Sequence, residues 1–367
     1  MTPAAPGFWI DWLCRDVLPL WSEAGFDARR GSFVERLSLD RTPQHDVPRR
    51  VMVQARQIFV FATAARNGWF PGGAELADHA CDTMIRHYGV SGGRGGWVFS
   101  CDRHGRCVDD RRDLYAHAFV LLALASRIAL DPHPRLVALV HATLAFLDHR
   151  LAHPAGGYRE HWPGAAPSRR QNPHMHLLEA FLALQAGGHC GDFARTIAQL
   201  LALFDRHFLA TQDDVLSEYY GPDWTSDNPH RTFEPGHHYE WAWLLARHAR
   251  MTDTATDDRI DRLLHGALRG IDSLGRVVDV MGPGGPVVAT CRLWPAMEAA
   301  KALDTHQGRM ASPGGTAAIL AAAWPAFFAT APRGGWIDRV DQRGGALVDH
   351  MPASSLYHIC TALDALR

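Results

Sequence analysis

The chain has 367 residues, 47% of them apolar and 21% charged, with a formal net charge of −2 at neutral pH. That is enough apolar content for a large core, and the near-neutral balance gives no electrostatic reason to bind nucleic acid or an anionic membrane. No stretch nears the roughly 18 apolar residues of a membrane span, and no basic-then-apolar leader opens the chain, so a cytoplasmic protein is expected.

Seven cysteines, Cys14, Cys81, Cys101, Cys107, Cys190, Cys291 and Cys360, form no Cys-x-x-Cys pair, and their odd number suits a reduced inventory. The basic residues are nearly all arginine. The one lysine, Lys301, lies inside a helical pattern, which speaks against imine or pyridoxal chemistry.

Residues 8–23 open the chain with helical spacing and carry Phe8, Trp9, Trp12, Leu13 and Trp21. A short phrase follows, Gly31-Ser32-Phe33, and then helical patterns at 50–67 and 74–88. Gly95-Gly96-Trp97 leads to Asp102 and Gly105, ahead of helices at 113–130 and 134–150. Gly156-Gly157-Tyr158 precedes 173–186 and 192–207, a weaker copy near Val215-Leu216 precedes 236–250 and 256–269, and another near Leu274-Gly275 precedes 291–304 and 314–328. Gly334-Gly335-Trp336 leads to Asp341 and Gly344 at the offsets of the second copy, and 353–366 is the last helix. The phrases recur about every 60 residues, six times. Their alternation and turn residues predict short β-hairpins, while Asp102 and Asp341 read as turn residues.

Twelve helices in six pairs predict an all-α fold, an (α/α)6 barrel of six helical hairpins with short β-hairpins on one face, forming a single catalytic domain over 1–367. An open α-solenoid is the alternative. It needs polar ends, whereas here Ile359, Leu363 and Leu366 close a chain that tryptophans open, which favours a closed ring.

Polar residues interrupt the even-numbered helices. The second carries Gln54, Arg56 and Gln57; the fourth opens with Tyr115 and His117; the sixth holds Asn172, His174, His176 and Glu179. The eighth has His237, His238, Glu240, Trp241 and Trp243; the tenth has Trp294 and Glu298; the twelfth has Tyr357 and His358. Singly, each has an ordinary explanation as a satisfied buried histidine or a core tryptophan. Their recurrence on alternate helices instead predicts convergence on one cavity mouth. No metal site is expected: His174 and His176, two apart on a helix, point away from each other, and no His-Glu-x-x-His occurs. No other cofactor is expected either.

At these residues the chain resembles the N-acylglucosamine 2-epimerase superfamily, which includes cellobiose 2-epimerases, mannose isomerases and sulfoquinovose-type ketose isomerases. The resemblance rests on Val53-Gln-Ala-Arg56-Gln57, Asn172-Pro-His-Met-His176-Leu-Leu-Glu179, Glu234-Pro-Gly-His237-His-Tyr-Glu240-Trp-Ala-Trp243, Leu293-Trp294-Pro-Ala-Met-Glu298 and Leu356-Tyr357-His358-Ile359. It implies an (α/α)6 barrel, with Arg56 on the substrate oxygens, His176 in ring opening or binding, and His237 and His358 as the acid–base pair. It also implies that Glu240 orients a neighbouring histidine and that Trp243, Trp294 and Glu298 touch substrate. Asn172, Tyr115 and His117 complete the expected binding set.

Such residues suit proton transfer next to a carbonyl. Once a sugar ring opens, its C2 proton is removable; histidine suits the base, and guanidinium suits the developing enediolate. Glu240, three residues from His237, shares its helical face and could hold its tautomer. The expectation is an aldose–ketose isomerase interconverting D-mannose and D-fructose, with D-lyxose and D-xylulose as a further pair. The alternatives are a sugar 2-epimerase and an (α/α)6 glycoside hydrolase using Glu240 and Glu298 as paired carboxylates. The partner expected is a free monosaccharide, and the protein a monomer or homodimer.

Overall fold

The computed structural model describes residues 2–89, 95–164, 166, 168–209, 214–255, 258–306 and 315–367. Among the described residues lie twelve helices: α1 (residues 6–23), α2 (Val51–Arg66), α3 (Gly73–Tyr88), α4 (Leu114–Leu130), α5 (residues 134–151) and α6 (Gln171–Gly187), then α7 (residues 194–208), α8 (Pro235–Thr252), α9 (Asp258–Leu268), α10 (Leu293–Thr305), α11 (residues 315–328) and α12 (Ser354–Ala365). The even helices form a closed inner ring: α2 packs on α4, α4 on α6, and so on round to α12, which packs back on α2. Each odd helix lies outside: α3, α5, α7, α9 and α11 pack on the even helix before them, and α1 packs on α12. This is the (α/α)6 barrel.

The two rings differ in chemistry because they differ in burial. Along α4, the stretch from Ala116 to Ile128 is buried throughout, as befits a helix with protein on every side. In α9 only one face is buried, Ile260, Leu263, Leu264 and Ala267. Trp9 packs edge-on against Trp324 and Phe328 of α11 (5.3 and 4.8 Å between ring centroids), so α1 is held by α11 as well as α12. The aromatic opening of the chain is thus core, as closure requires.

At one end, the residues leading into each inner helix pair antiparallel with the next repeat. Arg49–Arg50 pairs with Ser100–Cys101, Arg112–Asp113 with His161–Trp162, Arg169–Arg170 with Tyr219–Tyr220, and Cys291–Arg292 with Arg339–Val340. Phe233 bridges Met281, and His350–Pro352 pairs with Arg36–Ser38 of the first repeat, closing the circle. Local hairpins exist, as where Val280–Gly282 pairs with Gly285–Val288. The pairing that organises the barrel, however, runs between repeats. Alternation marks a segment as extended without naming its partner. Asp102 and Asp341 are turn residues as expected: each side chain accepts two backbone N–H groups of its own turn.

The recurring glycine-aromatic phrase has a physical cause. The N–H of Trp97, Tyr158 and Leu216 donates to Nε2 of His117, His174 and His238 (3.1, 3.0 and 3.1 Å), and in the first repeat Phe33 N–H donates to Gln54 (2.9 Å). His117 and His174 must therefore carry the proton on Nδ1, which meets the carbonyl four residues back (Asp113 and Arg170); His238 Nδ1 likewise faces the Glu234 carbonyl, while its Nε2 also lies 3.1 Å from the Asp214 carbonyl. Burial holds all three neutral, lowering them to about 4, 3 and 4. The glycine before the aromatic makes room, since a Cβ at Gly96 or Gly157 would press on the ring of His117 or His174. His174→Ala should therefore orphan the Tyr158 N–H and leave a void, costing about 2–4 kcal/mol. A urea midpoint within error of wild type would show that this clamp carries no stability.

Candidate active site

Counting from the first helical residue of each inner helix (Ala353 in α12), positions two and six point into one cavity of about 340 Å³ at the strand-bearing end. Position two supplies Tyr115, Asn172, Trp294 and Ser354; position six supplies Arg56, His176, Glu240 and His358. His237 joins them from position three. Spacing of four residues puts each pair on one helical face. The next residue on that face, position nine, contributes Phe59, Glu179, Trp243 and Thr361 to a second cavity of about 530 Å³ at the far end of the barrel.

Gly236 explains the Pro-Gly-His phrase. Pro235 starts α8 at a position that needs no N–H, and a Cβ at Gly236 would collide with the indole of Trp294. Trp294 in turn lies between the two candidate proton carriers, its ring centroid 5.1 Å from His237 and 5.4 Å from His358.

Each cavity histidine has its own carboxylate behind it. His237 Nδ1 meets both oxygens of Glu218 at 2.9 Å, His358 Nδ1 meets Glu298 at 2.7 Å, and His176 Nδ1 meets Glu179 at 3.0 Å. Nδ1 is thereby committed and Nε2 is left for the cavity. The rings are nevertheless biased oppositely. Burial alone would lower His237, but Glu218, Glu234 and Glu240 outweigh it and hold the imidazole up at about 9. His358 is held well below its ordinary value by burial and by the charges of Arg56 and Lys301. His176 is also lowered, chiefly by burial. Glu240, buried and close to Glu298, is pushed well above the usual carboxylate range. The surroundings thus bias His237 towards its charged form, His358 towards its neutral form and Glu240 towards its protonated form. Asn172 fits this state: its amide lies 3.0 Å from His237 Nε2, and with the amide turned its otherwise unpartnered oxygen would accept the imidazolium N–H.

Among the described residues, Arg56 is a cation with no carboxylate partner. Its guanidinium donates to Tyr115 Oη (2.6 Å) and the Ser354 carbonyl (3.2 Å) and stands 4.1 Å from the centroid of Phe119, leaving Nε without a partner.

Several expectations need correction. His117 does not face the cavity; it is a clamp between repeats, with both nitrogens used. Trp243, at position nine, lines the far cavity and carries Lys301 Nζ 4.0 Å from its ring centroid. Glu298 is fully buried behind His358 instead of facing substrate. Glu240 does not orient His237, because Glu218 occupies Nδ1; the nearest histidine atoms to Glu240 are His176 Nε2 and His358 Nδ1, each at 3.9 Å. As a hydrolase pair, Glu240 and Glu298 would need to flank a cleft, whereas they cluster with His358 within 4.8 Å on one side.

Glu218 was not singled out, yet a periodic signal marks it. An acidic residue recurs two places after the phrase's apolar residue: Glu35, Glu160, Glu218, Asp279 and Asp338. Glu35, Glu160 and Asp279 each accept from both the backbone N–H and the side chain of an arginine that starts an inner helix, Arg50, Arg170 and Arg292. Before α8 that arginine is replaced by Glu234, so Glu218 is free to take His237.

Two groups bring three ligand-type atoms within 4.8 Å of one another: Glu218, Glu234 and His237, and Glu240, Glu298 and His358. Both already hold internal cations, Arg292 on Glu234 (2.6 Å) and Lys301 on Glu298 (2.5 Å), with which a metal ion would compete.

A sequence model of the N-acylglucosamine 2-epimerase (GlcNAc 2-epimerase) family matches residues 31–362. A mannose-6-phosphate isomerase of Rhizobium meliloti (strain 1021) is 33% identical over 97% of this chain and 95% of its own. A D-mannose isomerase of Thermobifida fusca is 35% identical over 53% of this chain and 51% of its own. Among solved structures, cellobiose 2-epimerase from Bacillus thermoamylovorans B4167 superposes with a TM-score of 0.85 at 17% identity, covering 97% of this chain and 98% of that one.

If Glu218 is what keeps His237 charged, Glu218→Gln should lower the midpoint of its imidazole by about 2 units or more. Histidine-selective NMR titration reads this directly. A midpoint that stays near 9 would remove Glu218 as the cause.

Proposed function

This chain belongs to the N-acylglucosamine 2-epimerase family, an enzyme of the sugar isomerase and epimerase class, and on that premise we propose that it is an aldose–ketose isomerase acting on D-mannose and D-fructose. The observation that supports acid–base chemistry at this site is the opposite charge bias of His237 and His358 in one cavity. A neutral base beside a protonated acid serves an isomerase or a two-base 2-epimerase alike. The isomerase reading follows the two isomerase-named relatives, with one group moving the carbon-bound proton and the other serving oxygen.

In this proposal Nε2 of His358 takes the C2 proton of the open-chain aldose. The C–H electron pair becomes the C1–C2 double bond of a cis-enediol, and the former carbonyl oxygen gains negative charge opposite Arg56. His237, charged and backed by Glu218, donates a proton to that oxygen. The now neutral His237 then takes the proton of the C2 hydroxyl, and as the C2 carbonyl forms His358 returns its proton to C1 on the same face, which gives the ketose and restores both histidines. His176, protonated Glu240 and Asn172 provide hydrogen bonds to the sugar hydroxyls, and Trp294 offers its apolar face between the two histidines. The ring of inter-repeat strands supports treating residues 1–367 as one catalytic domain. No helix among the described residues is long and apolar enough to cross a membrane.

The relative from Rhizobium is named for a phosphorylated sugar, but the charges at this cavity favour a free hexose. Arg170 is matched by Glu160 (2.7 Å) and Arg292 by Glu234 and Asp279 (2.6 and 2.9 Å). The unmatched guanidinium, Arg56, is buried among Tyr115, Phe119 and Tyr357. A 6-phosphate dianion would therefore meet Arg170 and Arg292 already neutralised, while Arg56 is taken up by the oxygens at C1 and C2 in the proposed reaction. The kcat/KM for D-mannose should exceed that for D-mannose 6-phosphate by about 100-fold or more, since a desolvated charge without a partner costs several kcal/mol. The reverse preference would overturn this assignment.

NMR of the enzyme with D-mannose in D2O tests the reaction itself. Fructose with deuterium at C1 is the expected result. Glucose with deuterium at C2 would replace the isomerase reading with a 2-epimerase, and no turnover of either hexose would reject both. His358→Asn should cut kcat by about 10³-fold, the usual scale for loss of a general base; near-normal turnover would rule His358 out.

A further inference from the structure

Lys301 is the single lysine of the chain, and it is buried in the barrel wall, 1% exposed. A structural reading would place an aliphatic residue there. Instead its ammonium lies 2.5 Å from Glu298, three residues earlier on α10, and 4.0 Å from the ring centroid of Trp243 on α8. Glu298, itself fully buried, presents its other oxygen to Nδ1 of His358. The chain Lys301–Glu298–His358 thus runs from the barrel wall to the cavity. Glu240 stands beside it, 3.9 Å from the same Nδ1.

Two buried carboxylates this close cannot both stay ionised at modest cost, so one must hold a proton. Which one is a matter of the nearest cation. We infer that Lys301 is a positioning residue that makes Glu298, and not Glu240, the ionised member of the pair, and so keeps His358 with its proton on Nδ1 and its Nε2 free. A compact ammonium can do this where an arginine fork would need more room and more acceptors. The other groups facing His358 supply less of that charge to Glu298: Arg56 on α2 is turned to Tyr115 and Ser354, His176 on α6 adds a smaller lowering influence but is bonded to Glu179, and Tyr357 donates to Glu179. Burial raises Glu298 on balance, and Lys301 is the leading influence that opposes the rise. The inference rests on the proposal that His358 moves the carbon-bound proton.

Removing the ammonium leaves the Glu298–His358 pair with excess negative charge, so the pair should hold a proton to higher pH. Lys301→Met is expected to raise the titration midpoint of His358, followed by histidine-selective NMR, by about 1 unit or more. The acid limb of kcat/KM for D-mannose should move up in pH with it. Below the acid limb activity falls about tenfold for each unit the midpoint rises, while at higher pH it recovers. A residue that only filled space would lower activity evenly at every pH. The double variant Glu298→Gln/Lys301→Met is charge-balanced; it should return the His358 midpoint to wild type or below, and should fold where Lys301→Met alone does not. The inference is overturned if His358 titrates alike in wild type and Lys301→Met, or if the double variant is as unstable as a non-folding single one. If the NMR midpoint moves but the acid limb does not, Lys301 still sets the dyad, and it is the role of His358 in turnover that falls.

Discussion

The physical constraint behind this site is the cost of keeping charge inside an apolar barrel. Arg56, His176, Glu179, His237, Glu240, Glu298, Lys301 and His358 are all buried. Water cannot stabilise them, so each protonation state is set by the neighbours the fold supplies. The result is a graded set: a histidine biased to its charged form by Glu218, one biased to its neutral form by burial and by Arg56 and Lys301, and a carboxylate raised beside them by burial and by Glu298. Reactive groups of different character arise from one small menu of side chains because their surroundings differ.

The repeat makes that control possible. In four of the six sixty-residue units, position four of the inner helix clamps the phrase before it, through Gln54, His117, His174 and His238. The acidic residue two places after the phrase's apolar residue clamps an arginine at the start of a helix in three repeats. Where Glu234 replaces that arginine, the same acidic position becomes the partner of His237. A structural position has been turned to a chemical task by changing its neighbour. Each inner helix presents position two, position six or both to the cavity, so the ring can offer a different group from each helix at nearly the same depth.

This also explains why histidine count is a poor guide here. His237 and His238 are adjacent, yet one faces the cavity and the other the repeat boundary, about 100° apart on the helix. His174 and His176 divide in the same way. In each pair the clamp is neutral and fully occupied, while its neighbour keeps Nε2 toward the cavity.

Much was legible in the sequence. The sixty-residue period, the twelve helices to within a few residues and ring closure by apolar ends follow from local patterning, because apolar periodicity and turn residues act over short stretches of chain. The same holds for the convergence of Arg56, His176, His237, Glu240, Trp294 and His358, since a repeat carries each helix to the same mouth. What tertiary structure alone decided was who pairs with whom. Strand alternation could not say that His350–Pro352 would close on Arg36–Ser38 across the whole chain. Helical spacing placed Glu240 beside His237, but the carboxylate that reaches Nδ1 comes from Glu218, nineteen residues upstream. Nor could it show that Glu298 and Lys301 stand behind His358 from another helix. Local sequence sets which groups face inward; the charge each one carries depends on distances between helices, and those exist only once the ring is closed.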